Sequence, residues 1–383
     1  MRNDAPHLIG NPRFRYHLVM KASTLTLIAA LVICSAVGAQ VKEDNIVWHD
    51  AAKLTIEGRG WDDTETFYYR LPKSAKTKVN DAVWGLASNC AGMMVRFSTD
   101  ASELKVRWNL TSASLAMNHF AATGVSGVDL YVKYKSNWRW VAVGRPSAQE
   151  NESTLFSGVP VENREFMLYL PLYNGLTKLE LGIPDGAKTE GSPVRKTRPV
   201  VFYGTSITHG GCASRPGMAY PAIIGRKLDV PTINLGFSGN GRCEHEVADL
   251  LAELDPSVYV IDPLPNMTED IVDDNIRYLL KALHSAHPNT PVILVENVVY
   301  QYEFIHEGPR NPKNVILEKI YKDSVKDWGG KLYYVKSTKL LGSDGEGTVD
   351  GVHPTDLGFV RMADVIAPVV AKAMGTGDPN LGL

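Results

Sequence analysis

Ser206 follows a glycine and a threonine at the end of an apolar run, in Val200-Val201-Phe202-Tyr203-Gly204-Thr205-Ser206-Ile207-Thr208. Glycine permits a sharp turn out of a strand, and a serine there can present its hydroxyl and its own N–H at a sheet edge. A hydroxyl becomes a nucleophile when a base stands beside it. Far downstream, Val349-Asp350-Gly351-Val352-His353-Pro354 sets a carboxylate three residues before a histidine. That spacing lets Asp350 hold one imidazole nitrogen while the other faces a hydroxyl. Two more loops could stabilise developing negative charge. Asn234-Leu235-Gly236-Phe237-Ser238-Gly239-Asn240-Gly241 offers the N–H of Gly239, and Asp262-Pro263-Leu264-Pro265-Asn266 holds the Asn266 amide on a loop stiffened by two prolines. Together these residues point to acyl transfer through a serine. Each also has a plainer reading: a serine that caps a helix, a flexible strand–helix loop, a turn asparagine and a loop histidine. His209, one helical turn past Ser206, is a second candidate base with an awkward reach to Oγ. Asp262 ends a buried strand and suits holding loops better than chemistry.

Such residues need a scaffold that delivers them to one place. From 199 onward, apolar strands near 199–204, 231–236, 257–262, 291–297 and 331–335 alternate with helices near 218–229, 244–254, 268–286, 311–328 and 356–373. In the third helix Ile271, Val272, Ile276, Leu279, Leu280 and Leu283 recur at helical spacing. Strand–helix alternation predicts a parallel sheet with helices on both faces, whose function gathers at the C-terminal ends of the strands. Upstream, residues 40–184 read as many short, partly alternating strands, which predicts an all-β sandwich or jelly roll. The polar Pro184-Asp185-Gly186-Ala187-Lys188-Thr189-Glu190-Gly191-Ser192-Pro193 marks a linker over 185–198. The expected domains are then 40–184, 199–375 and a C-terminal tail, 376–383.

Lys21, the apolar stretch Leu25–Ile33 and the small-residue exit Ser35-Ala36-Val37-Gly38-Ala39-Gln40 form the pattern of a secretory signal, with 1–19 as an upstream extension. Residues 1–39 are therefore expected to be removed after Ala39, and the protein to be exported, periplasmic or extracellular. Ile33 is too bulky for the usual lipid-attachment site at Cys34. Without residues 1–39 the chain loses four Lys/Arg and one Asp, and its formal net charge moves from −2 to −5. Nothing in that balance draws it to nucleic acid or an anionic membrane, and no membrane span is expected in the mature protein. Hydrophobic residues make up 44% of the 383, enough for a sizeable core. Of the remaining cysteines, Cys212 and Cys243 follow two loops assigned to the same site and are a candidate disulfide, with three buried thiols as the other reading.

The order of these blocks, Ser206, Gly239, Asn266 and Asp350 with His353, resembles that of the SGNH (GDSL-type) hydrolase superfamily over 199 to about 373. Gly127-Val128-Asp129-Leu130-Tyr131 is similar to the Gly-x-Asp-Leu-Tyr signature of a β domain that precedes this kind of catalytic domain. The resemblance implies a three-layer α/β/α, flavodoxin-like parallel sheet. It implies Ser206 as nucleophile, His353 as base and Asp350 as its partner, with Ser206, Gly239 and Asn266 forming the oxyanion hole, and no cofactor or metal. The nucleophile block departs from the family in reading Gly-Thr-Ser-Ile, and the third block lacks Gly-x-Asn-Asp. A secreted hydrolase of this architecture suits a small-molecule or glycan ester, with O-acetyl groups on carbohydrate first. The alternatives are a lipid or thioester acylhydrolase, and a carbohydrate-binding protein with an inactive hydrolase domain. His119, in Met117-Asn118-His119-Phe120, and Arg215 are candidates for the substrate rim. A nucleotide-binding fold is excluded, because Gly-x-Gly-x-x-Gly does not follow the first strand of the α/β part. The sequence leaves the oligomeric state open.

Overall fold

The computed structural model describes residues 45–305 and 310–376. The expected signal over 1–39 and nearly all of the expected tail over 376–383 lie outside these residues.

The N-terminal half is antiparallel. Its strands are β1 (Ile46–Asp50), β2 (Thr55–Glu57), β3 (Met94–Thr99), β4 (Leu104–Leu110), β5 (Val128–Tyr134), β6 (Asn137–Gly144), β7 (Glu150–Phe156), β8 (Arg164–Tyr169), β9 (Leu176–Pro184) and β10 (Thr189–Gly191). One sheet has the order β1-β9-β4-β7, the other β10-β3-β8-β5-β6 with β2 also on β3. Val106 and Trp108 of β4 and Leu179 and Leu181 of β9 share a core with Val95 and Phe97 of β3, Leu130 of β5 and Leu168 of β8. Two sheets thus bury one face each against the other. The segment expected as a linker is partly strand: Thr189, Glu190 and Gly191 pair with Thr99, Ser98 and Phe97.

The C-terminal half carries β11 (Val200–Gly204), β12 (Thr232–Gly236), β13 (Val258–Asp262), β14 (Val292–Val295) and β15 (Leu332–Val335), all parallel, in the order β12-β11-β13-β14-β15. That is the flavodoxin-like order. Every residue of β11, β12, β13 and β14 is buried, as a sheet covered on both faces requires. Eight helices accompany the strands among the described residues: α1 (Asp81–Ala87), α2 (Ala122–Val125), α3 (Ser206–His209), α4 (Tyr220–Leu228), α5 (His245–Ala252), α6 (Glu269–Ala286), α7 (Pro312–Ser324) and α8 (Asp356–Met374). Tyr259 and Ile261 pack with α5, α6 and α7, whereas Val258 and Val260 pack with α4 and α8.

The halves do not meet as two closed bodies. Residues 69–87, which include α1, lie between β2 and β3, yet Tyr69, Leu71, Ala75, Val79, Val83 and Ala87 are buried in the α/β core. This excursion belongs to the N-terminal half in sequence and to the α/β core in packing. The reading of 40–184 as strand alone missed α1, a seven-residue helix capped by Asn80. Arg70 reaches from the excursion to the edge strand β12 and donates to the carbonyls of Asn234 and Gly236 at 3.1 and 2.7 Å.

A second contact joins β5 to the loop after α3. Asp129, fully buried, accepts from Arg215 Nη1 at 2.8 Å, Gly217 N at 2.9 Å and Trp140 Nε1 at 2.8 Å. Arg215 also donates to the Tyr131 hydroxyl and lies over the Trp140 ring. Removing one partner of a buried ion pair strands the other, at a cost of about 3–5 kcal/mol. Asp129→Ala is expected to lower unfolding stability by about that much, read as a lower midpoint in urea. An unchanged midpoint would mean the contact contributes nothing.

Candidate active site

Ser206 is the first residue of α3, immediately beyond β11. The strand ends in a glycine because nothing larger fits: a Cβ at Gly204 would stand 2.2 Å from Thr208 Oγ1 and 2.4 Å from the Asp262 carbonyl. Thr205, not Ser206, is the N-cap, and its hydroxyl accepts from Ile207 N at 3.3 Å. That leaves the serine hydroxyl uncommitted to the helix. The N–H of Ser206, at the first helical position, has no intrahelical acceptor.

The hydroxyl meets His353. Ser206 Oγ lies 2.9 Å from His353 Nε2, and His353 Nδ1 lies 2.7 Å from Asp350 Oδ2. The other Asp350 oxygen accepts from His353 N at 2.7 Å and Val352 N at 3.0 Å. Burial pushes the Asp350 carboxyl up, but the hydrogen bonds from His353 and Val352 outweigh it and hold it below its ordinary value. An ionised Asp350 fixes the tautomer, with Nδ1–H donating to the carboxylate and Nε2 open to the serine. Downstream, Thr355 caps α8 by accepting from Gly358 N at 3.3 Å, which anchors this loop.

Two more donors follow the strands on either side of β11, at the same end of the sheet. Gly239 follows β12 in an exposed loop, and its N–H donates to no acceptor among the described residues. Asn266 ends the short turn after β13. Its Nδ2 donates one hydrogen to the Asn240 carbonyl at 2.6 Å, which ties the two loops and leaves a second hydrogen free. Serine, imidazole, carboxylate and three N–H donors, from the turns after β11, β12 and β13 and the loop before α8, can hold an acyl group and the charge that develops on it.

His209 is unsuited to act as the base. It is fully buried, its Nε2 lies 2.7 Å from the Leu172 carbonyl, and burial followed by the nearby Arg70 drives its pKa well below the ordinary value. Tyr173 stacks on it at 4.1 Å and donates to the Ser206 carbonyl at 3.2 Å. Sequence reasoning missed Tyr173 and Arg70, since neither sits in a local pattern with the nucleophile. His119 does reach the cleft. It stands at the tip of a tight turn closed by mutual backbone bonds between Met117 and Phe120, with its ring centroid 5.6 Å from that of His353. Arg215 is held between the two halves by Asp129 and Tyr131.

The candidate disulfide is absent. Cys212 and Cys243 are both free and buried, and they belong to cores on opposite faces of the parallel sheet. The sheet itself separates them. Burial, followed by the nearby Asp350 carboxylate, pushes the Cys212 thiol up to about 12.

A family model for GDSL-like lipases and acylhydrolases matches residues 197–371, and one for the GxDLY N-terminus of SGNH-hydrolase-type esterases matches 46–189. No curated protein matches the chain in sequence. Among solved structures, a Bacteroides ovatus protein taken to be a GDSL-like lipase is 32% identical, with a TM-score of 0.81 over 86% of this chain and 98% of that one. A salicylyl-acyltransferase from a tetracycline biosynthetic pathway is 17% identical, with a TM-score of 0.70 over 87% of this chain and 98% of its own. A family two carbohydrate esterase from Cellvibrio japonicus is 13% identical, with a TM-score of 0.58 over 88% and 100%. The last two likenesses are of fold alone.

Asp262 makes the stability of the fold depend on pH. It is fully buried beneath the nucleophile turn, and burial raises its carboxyl to about 8 against the pull of hydrogen bonds from Tyr220 and Thr208. Unfolded, an aspartate titrates near about 3.9. Between the two values the unfolded chain sheds a proton that the native chain keeps, so this group's contribution to stability falls as pH rises from about 4 to about 8 and is flat above. Asp262→Asn removes that slope. The melting temperature of the variant relative to the parent is expected to climb by several degrees between pH 5 and pH 8, and a constant difference would refute the assignment.

Proposed function

Because the chain belongs to the GDSL-like lipase/acylhydrolase family, with a GxDLY domain at its N-terminal side, we propose that it is an exported serine esterase removing short acyl groups, acetyl first, from carbohydrate esters. The observation that carries this is the chain of contacts from Ser206 Oγ to His353 Nε2 at 2.9 Å and from His353 Nδ1 to Asp350 at 2.7 Å.

In the proposed reaction Ser206 Oγ attacks the ester carbonyl as its proton passes to His353 Nε2. Asp350 stabilises the resulting imidazolium. The N–H groups of Ser206 and Gly239 and the free Asn266 hydrogen hold the oxyanion. Collapse breaks the bond to the alcohol, which leaves with the proton from His353. Water then attacks the acyl-serine with His353 again as base, the acyl–Oγ bond breaks, His353 returns the proton to Ser206 Oγ, and the acid departs.

Two features favour a small acyl group. Ser206 is only 7% exposed, and His119 overhangs His353. The sugar half of the proposal draws on the likeness to the Cellvibrio japonicus carbohydrate esterase in fold. Export rests on the sequence of residues 20–40. Among the described residues, no helix is long and apolar enough to cross a membrane.

Ser206→Ala is expected to lower turnover of nitrophenyl acetate by about four orders of magnitude or more and to abolish fluorophosphonate labelling. Asn266→Ala should cost about 10²–10³ in kcat. Acetate should be released from acetylated glycans, with rates falling from acetyl to octanoyl esters. A preference for octanoyl would favour the lipid reading, and a folded parent protein that takes no label would overturn the esterase.

A further inference from the structure

Beside the nucleophile lies a thiol that the acyl-transfer steps do not use. Cys212 follows α3 with its backbone held in the left-handed region, φ 76°, which non-glycine residues rarely adopt. One ligand atom each from Cys212, His119 and His353 lies within 4.8 Å of the other two. The three reach this point from different parts of the fold: a turn of the N-terminal half, the loop after α3, and the loop before α8.

The two rings are presented alike. His119 Nδ1 lies 2.7 Å from the Asn118 side-chain oxygen, and His353 Nδ1 lies 2.7 Å from the Asp350 carboxylate. Metal-binding imidazoles are supported in this way at the nitrogen that does not bind, which leaves Nε2 as the donor of each. One thiol and two imidazoles make a donor set suited to zinc, which takes nitrogen at about 2.0–2.1 Å and sulfur at about 2.3 Å in tetrahedral array. Ligand atoms in such an array stand about 3.5 Å apart. Of the three, His119 is the exposed one.

We propose that His119, Cys212 and His353 form an inhibitory Zn2+ site over the nucleophile. The Nε2 lone pair that would accept the Ser206 proton is the one that zinc would take, so the two uses exclude each other. The thiol proton passes to solvent as the Zn–S bond forms, and the fourth position is left for water. The inhibitory part rests on the esterase reading; the binding part does not.

The test is a Zn2+ titration of metal-free protein, followed by calorimetry and thermal shift, on the parent and on Ser206→Ala. Both are expected to bind one ion per chain and to melt higher. Co2+ in place of zinc should give a thiolate charge-transfer band. Cys212→Ser and His119→Gln should each weaken zinc binding by about tenfold or more. Cys212→Ser should also keep ester hydrolysis while losing its inhibition by zinc. Binding that survives both substitutions, or an active esterase indifferent to zinc, overturns this inference and leaves the esterase standing. Zinc bound through these residues in a chain with no esterase activity has the opposite result: the metal site stands and the esterase reading falls.

Discussion

A single guanidinium ties together the surroundings of Ser206. Arg70 is fully buried, and its partners are carbonyl oxygens: Asn234 and Gly236 of β12, and Leu86 at 2.7 Å. Burial lowers its pKa to about 10, which still leaves it charged at neutral pH. Taking a charge out of water costs several kcal/mol. The planar fork meets that cost by satisfying edge-strand carbonyls that would otherwise be stranded under the excursion, and it also lies 4.9 Å from the centre of the Phe237 ring. Gly239 follows two residues after Phe237. On its other side Arg70 comes within 3.5 Å of His209, which closes the helix that begins with Ser206. One side chain of the N-terminal half thus touches both the end of β12, just ahead of Gly239, and the helix that begins with Ser206.

The turn at Ser206 is over-determined from below as well. Gly204 admits the Asp262 carbonyl, Thr205 takes the capping duty, and Thr208 and Tyr220 hydrogen-bond the Asp262 side chain. A carboxyl with its pKa near 8 is mostly neutral at pH 7. An ionised carboxylate under the nucleophile would oppose negative charge growing on the substrate oxygen, whereas a neutral acid does not. The same burial that makes Asp262 costly to ionise keeps the floor of the site uncharged, while Asp350, better solvated and held by donors, stays ionised to support His353.

How much of this was legible depends on how local each signal is. The parallel sheet declared itself because strands buried on both faces must be solid apolar runs, and Val258–Ile261 is one. Ser206, Gly239, Asn266 and the Asp350–His353 pair stand out because strand ends in such a sheet are where loops converge. The setting of Arg215 was hidden for the opposite reason: its partner Asp129 lies 86 residues away, and only docking of the halves brings them together. The same holds for Arg70, 164 residues from Asn234, and for Tyr173 beneath Ser206. Cys212 and Cys243 follow loops on adjacent strands, yet a sheet has two faces, and loop order does not say which face a side chain joins. The helix at Asp81–Ala87 escaped because seven residues are too few to display a helical period against strands on either side.

The signature Gly127-Val128-Asp129-Leu130-Tyr131 shows why the N-terminal half belongs to the site's construction rather than riding beside it. Side chains alternate along a strand. Val128 and Leu130 fill the sandwich core, while Asp129 and Tyr131 face the other way, to Arg215, Gly217 and Arg226 of the α/β half. Gly127 is forced by crowding, since a Cβ there would lie 2.4 Å from the Thr123 carbonyl. Each letter of the motif therefore has a packing reason, and none touches Ser206. Its effect on the cleft is indirect. By seating the sandwich against the loop after α3, it fixes where the turn bearing His119 and the segment bearing Leu172 and Tyr173 come down on α3. A change at Asp129 would thus reach the nucleophile through the seating of a domain, with the residues around Ser206 themselves unaltered.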